Sequence, residues 1–528
     1  MLPLLIIALF IPWQNQPPEK CSLSGTVVSS VTGEPLNKVD LRLEPLDRRA
    51  THVAVTKSDA EGRFALVDLD PGSYRLLGQR NGYLEMPYGA RKADGEGAVL
   101  RLETGQLLNG LTFKLTPSAV IAGTVRDSDG EPLEGAHVIL GRFTYWWGGG
   151  RVEGSDSTDT DDRGEYRFRG LAAGKYYVGV EPKSHGWDQV DHSANAGPIE
   201  IGVPTLYPGV TDMPLATPVQ VLAGKSVTGM DLTLVRSRVS RVSGRATNAP
   251  AAGRLTVSLN DAKNGAMRDY NLRTSIKNAA GDFEFREVPP GSYDVMVEEQ
   301  SLRGKTSIVV GASDLEGVRV ALAPGAEIKF RIANEGSDKP VLTGLDFFLT
   351  VNGRNGFSTS FPDTDKSTLR NVPPDHYAVK IFGSLLRECY IKTARAGDTD
   401  VLADGLTVTG PGTIDIDVVI AADGGVVQGT VRDKDQQPVA GATILLAPDK
   451  RSRADLFASA TSDQNGHYEF AATAPGNYKL FAWEDVETRA WNDPDFLKGY
   501  EKQGEKIALE AGARAAVDLP SATRADGQ

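Results

Sequence analysis

Apolar side chains recur at every second position in short runs along nearly the whole chain. In "GAHVIL" Ala136, Val138 and Leu140 share one parity, and in "GEYRFRGL" Tyr166 and Phe168 do. A period of two is the mark of a half-buried strand. Runs of the same kind end at Leu115, Val235, Leu322, Ile420 and Leu519. Helical periodicity is nearly absent. Between the runs lie polar turns such as Asp59-Ala-Glu-Gly62, Asp161-Asp-Arg-Gly164 and Asp463-Gln-Asn-Gly466. In such a turn Asp caps backbone amides through its side chain and Gly takes the positive φ at the end.

These elements repeat. A Pro or small-residue turn followed by tyrosine recurs at Tyr74, Tyr176, Tyr293, Tyr377 and Tyr478, which defines five copies of a unit of about 100 residues. The opening phrase repeats too: "GTVRDSDGEPLEGAHVIL" from Gly123 and "GTVRDKDQQPVAGATILL" from Gly429, with a looser version from Gly25. The third copy, from Gly244, is degraded, and the fourth has Phe330 where the others have glycine. About seven short strands per unit predict an all-β chain: a tandem array of small antiparallel β-sandwiches of the prealbumin or immunoglobulin kind. The predicted units are 21–117, 118–236, 237–323, 324–422 and 423–521, after a leader at 1–20. Linkers around Pro117 and Gly424 are very short, which predicts a semi-rigid string.

Composition narrows the function. Net charge is −12 with no Lys/Arg cluster, which argues against nucleic acid and anionic membranes as partners. With only Cys21 and Cys389, no disulfide framework or cysteine metal cluster can be built. Leu2 to Ile11 is an apolar run the length of a signal-peptide core, too short to span a bilayer, and no other segment could cross one. No Lys or Arg precedes it and no small-x-small cleavage site follows. It predicts export, to the medium, the periplasm or the cell envelope.

The pattern G-x-V-x-D-x-x-G-x-P-L-x-G-A-x-V-x-L, then D-x-x-G-x-Y/F-x-F, then P-G-x-Y, resembles the carboxypeptidase regulatory-like domain. Gly123 to Leu140, Asp161 to Phe168 and Gly174 to Tyr176 carry it in the second unit; Gly429 to Leu446, Asp463 to Phe470 and Pro475 to Tyr478 carry it in the fifth. The resemblance implies a transthyretin-like sandwich, related to Cna B-type domains and similar to the carbohydrate-binding-like (starch-binding-like) fold. It implies secreted or envelope-associated arrays, and no catalysis of its own.

Two chemistries linked to such modules fail on residues. Zinc carboxypeptidase activity needs an H-x-x-E pair. None of His52, His137, His185, His192, His376 and His467 has Glu three residues later, and the nearest approach is His185 with Asp188. A Lys–Asn isopeptide needs a lysine in the first strand near an acid such as Glu181, Glu298 or Glu484, but Arg126 and Arg432 stand there. "GKS" at Gly224 and "GKT" at Gly304 lack the upstream glycine of a phosphate loop, having Val219 and Glu299 instead. Asp156, Asp159, Asp161 and Asp162 form either a solvated hairpin or a calcium-holding loop, the former favoured. The reading is of no enzyme, no cofactor and no resident metal.

Aromatic residues are the remaining candidates. Outside the leader, the tryptophans Trp146, Trp147, Trp187, Trp483 and Trp491 fall in the second and fifth units, with Tyr145 beside the first two in "FTYWWGGG". Such rings stack on sugar faces, contact proteins, or cap a sandwich and bury a neighbouring loop. The expectation is a non-catalytic binding array with a polysaccharide or other glycan as ligand; the alternative is a structural spacer or adhesion stalk whose partner is a surface protein.

Overall fold

The computed structural model describes residues 19–521 apart from 48–52, 147–148, 182–198, 250–254, 262–270, 277, 279, 300–301, 336–344, 352–353 and 361–367. The chain is all-β, as five separate apolar cores. The first unit sets the plan with β1 (Cys21–Ser29), β2 (Asp40–Pro45), β3 (Ala54–Lys57), β4 (Arg63–Leu69), β5 (Gly72–Gln79), β6 (Met86–Pro87), β7 (Leu100–Leu102) and β8 (Leu107–Leu115). One sheet runs β4-β1-β8; the other runs β3-β2-β5, with β6 and β7 on β5. Between them Leu23, Val27, Leu41, Leu43, Leu76 and Phe113 are fully buried, each contributing about 1.5–3 kcal/mol by burial.

One feature departs from the antiparallel expectation. β1 and β8 lie parallel, Thr26 opposite Thr112 and Val27 opposite Phe113. The first and last strands are parallel in all five units. Every other pair is antiparallel among the described residues.

The repeated glycine follows from that pair. A Cβ on Gly25 or Gly244 would run into the carbonyl oxygen of Leu111 or Val318 in the last strand, and one on Gly123 or Gly429 into that of Met230 or Val517, in the break between the two short pieces of the last strand. In the first and third units the last strand bulges there, Leu23 facing Leu108 but Gly25 facing Leu111, and Val242 facing Leu315 but Gly244 facing Val318. The corresponding pair of the fourth unit has no bulge. Its ladder runs unbroken from Glu327–Thr413 to Asn334–Ile420, and Phe330 packs on Phe347 with ring centres 4.1 Å apart.

The turns behave as the sequence predicts. Asp59, Asp161 and Asp463 each accept two amide hydrogen bonds, two and four residues ahead, at 2.7–3.0 Å. In the opening phrase Arg126 and Arg432 donate to the carbonyls of Gly130 and Gln436, closing their own turns. These arginines brace the scaffold.

The units do not form a string. The fifth returns to the first and second. Gln464 takes the amide and carbonyl of Arg101 with its side chain, at 3.1 and 2.9 Å. A Cβ on Gly441 would strike the carbonyl of Gly89. Short linkers fix each step, but a series of fixed steps can close on itself.

Candidate functional site

The second unit begins with β9 (Ala119–Arg126) and continues into a long hairpin of β10 (His137–Trp146) and β11 (Gly149–Asp159). Val138 and Leu140 hold its base in the core. Beyond Arg142 the hairpin outgrows the sandwich. Phe143 stays 38% exposed and meets Tyr145 edge-on, ring centres 5.2 Å apart. Gly150 lies under the Phe143 ring and leaves no room for a side chain. β10 packs against the short 3-10 turn Ala490–Asn492 of the fifth unit. Burial, then the nearby charges of Asp493 and Glu487, push the Tyr145 phenol up.

The sequence candidates separate. Tyr145 sits at this junction. Trp146 pairs its backbone with Gly149; its side chain, and all of Trp147 and Trp187, lie outside the described residues, as do His52, His185 and Asp188. Trp483 is 1% exposed. Its ring stacks on Phe481 at 5.6 Å and meets Tyr500 edge-on at 5.3 Å. Trp491 and Phe496 pack against this second, smaller core of the fifth unit. Phe481 of its own strand thus covers one face of Trp483, and Phe496 and Tyr500 of the insertion Glu484–Gln503 close around the rest; the insertion's helix Pro494–Lys498 starts at an Asp493 cap. Trp483 therefore serves packing and presents no ring to a surface ligand.

Charges the sequence reading passed over complete the junction. Arg91 pairs with Glu484, and Lys92 with Asp485 at 3.3 Å and Glu487 at 2.9 Å. Arg142 lies between Asp94 of the first unit at 3.9 Å and Glu487 of the fifth at 3.7 Å. Arg101 lies 3.6 Å from Asp463, whose side chain is nearly buried. The signal was present as opposite charge in two loops, "GARKAD" and "AWEDVE". Alternation, which reports only faces, does not pair loops.

The other motifs resolve into structure. Asp159 meets His137 Nδ1 at 2.8 Å, Asp156 accepts the Ser157 amide, and Asp161 caps its turn, so these acids are spread along β11 and the turn after it. Among the described residues no group of three or more His, Cys, Asp or Glu could hold a metal ion. "GKT" lies inside the strand Leu302–Val310, and "GKS" leads into the strand Ser226–Val227. Glu298 and Glu484 pair with Arg303 and Arg91. An open depression of about 340 Å³ in the first unit is lined by Arg75, Glu85, Asp94 and Glu96 among others.

Five repeats of one two-sheet sandwich make this a tandem-repeat β-sandwich protein. Residues 22–103, 120–197 and 426–520 match the family model of the carboxypeptidase regulatory-like domain. They fall in the first, second and fifth units, which meet at the junction described above. No curated protein matches the chain. Among solved structures, GBS52, the minor pilin of Streptococcus agalactiae, is 14% identical over 41% of this chain and 96% of its own, at a TM-score of 0.22. Two B repeat units of the collagen binding protein of Staphylococcus aureus are 13% identical over 76% and 100%, at 0.13. The Bacillus anthracis TIE protein is 12% identical over 57% of this chain and 51% of its own, at 0.17. At such scores the fold class rests on the strand pairing itself. Among the described residues no helix is long and apolar enough to cross a membrane.

Proposed function

We propose that the chain is a non-catalytic protein of the cell surface or envelope, in which the sandwiches act as adhesion or structural elements through contacts with protein. The observation that carries this reading is where the aromatic residues go. Trp483 and Trp491 fill the core beside Phe481 and Tyr500, and Tyr145 lies beside Asp493 and Glu487 of another unit. Rings used in this way fill a core or a junction between units instead of lining a sugar cleft. The surface location is supported by the apolar run Leu2 to Ile11 and by the family resemblance.

Glycan binding is the second reading. It is favoured by the Phe143–Tyr145 pair, of which Phe143 is exposed, and by Trp146 and Trp147 next to it in sequence. A polysaccharide array probed with the intact chain and with Trp146→Ala/Trp147→Ala separates the two. The protein-contact reading expects background retention for both. Retention of the parent chain that the double substitution abolishes would overturn it and establish the glycan reading.

A further inference from the structure

The joints between units are of two physical kinds. Tyr390, Ala421 and Ala474, with Leu456, form an apolar cluster across the fourth and fifth units, and buried Arg453 donates across the same joint to the Ile391 carbonyl at 3.2 Å. No apolar cluster of the described residues joins the first and fifth units. That contact consists of Arg91–Glu484, Lys92 with Asp485 and Glu487, Arg101–Asp463, and the Gln464 hydrogen bonds to Val99 and Arg101. Its charged side chains are mostly a fifth to a half exposed. Pairs at such exposure weaken as salt rises, because the screening length falls from about 10 Å at about 0.1 M to about 3 Å at about 1 M. A joint made of buried apolar area lacks this sensitivity.

We propose that the first and fifth units form a salt-sensitive clasp that closes the chain on itself, and that releasing it swings the fifth unit away from the Arg91–Lys92 loop and the hairpin of the second unit. The apolar joint between the fourth and fifth units stays made, so the opening occurs elsewhere along the arc. The clasp is independent of whether the ligand is a protein or a glycan.

Gly441 supplies a steric handle that spares the unit's fold. The same turn position in the first unit is Lys38, at φ +54°, so the turn accepts a side chain in the left-handed conformation. At Gly441, φ +76°, a side chain would instead meet the Gly89 carbonyl of the first unit. Asn tolerates that conformation, so Gly441→Asn is expected to leave the fifth sandwich folded and to break the docking.

The test is energy transfer between dyes placed by Lys57→Cys in the first unit and Lys502→Cys in the fifth, in the full chain, with far-ultraviolet circular dichroism as the folding control. Transfer in the parent chain is expected to fall by about half or more between about 0.1 M and about 1 M sodium chloride. Gly441→Asn and Arg91→Glu/Lys92→Glu are expected to show the low value already at the lower salt. Adding Glu484→Lys/Glu487→Lys to the latter is expected to restore transfer. Transfer that ignores both salt and charge reversal overturns the proposal, even if Gly441→Asn lowers it. So does transfer that rises with protein concentration, which would place the contact between two chains.

Discussion

The hydroxyl of Tyr293 donates a 3.0 Å hydrogen bond to the carbonyl of Pro289, four residues back, across the turn that starts the next strand. Tyr74, Tyr176, Tyr377 and Tyr478 make the same bond to Asp70, Ala172, Pro373 and Ala474 at 2.7–2.9 Å. The bond explains why the third and fourth units keep this tyrosine after losing much of the opening phrase. Tyr293→Phe removes the donor, keeps the ring and strands a buried carbonyl, at a cost of about 1–3 kcal/mol. Because the chain is multi-domain, one melting temperature will not report it. The expected outcome is faster amide hydrogen exchange confined to strands of the third unit, such as Asp282–Val288 and Gly291–Glu299. Unchanged exchange there would refute the role.

Gly123 and Phe330 hold corresponding places and predict opposite substitutions. Gly123→Ala puts a methyl group into the Met230 carbonyl, and overpacking of this kind costs about 1–3 kcal/mol. Phe330→Gly removes a ring from the Phe347 contact in an unbulged ladder, and such a loss in a core costs about 3–5 kcal/mol. Urea titrations that follow exchange in each unit should show the second unit weakened in one variant and the fourth in the other. A fourth unit that tolerates glycine would show that the Phe330–Phe347 contact does not stabilise it.

The glycine of the opening phrase, the Asp turns and the core parities at Val138 and Leu140 were legible because each is a local demand of backbone or face. The parallel pairing of β1 with β8 was not, since alternation has a period but no direction. The Trp483 core was not either. Its partners Phe496 and Tyr500 sit in an insertion with no strand period, so the tryptophan reads equally well as a surface ring. The clasp is furthest from view, joining Arg91 to Glu484 across 393 residues of sequence. Nothing local in either loop names the other.

Lys380 gives a pH dependence. Burial, then the nearby Arg151 of the second unit, lower its pKa from 10.5 to about 8. Between those values the unfolded chain holds a proton that the folded chain has released, so stability rises with pH across that window. Below about pH 8 the amine is charged in both states and the penalty is constant. The fourth unit should therefore gain stability from pH 8 to 10, by at most about 3 kcal/mol for a shift of this size. Lys380→Met should flatten that slope. A slope that survives the substitution would assign it to another group.

Trp483 and the hairpin tryptophans should separate in stability measurements. Trp483 fills the small core between Phe481, Phe496 and Tyr500, and truncating a buried aromatic costs about 3–5 kcal/mol. Trp483→Ala should expose the Pro494–Lys498 helix to rapid exchange. Through Glu484 and Glu487, one and four residues further on, the substitution should also loosen the contact with Arg91 and Lys92. Trp483→Phe keeps much of the apolar surface and should recover most of both effects. Trp146→Ala/Trp147→Ala should leave exchange in the fifth unit's core strands, such as His467–Thr473, unchanged. Equal loss in the fifth unit from both sets of variants would mean that the hairpin supports that core, and Trp483 would lose its separate role.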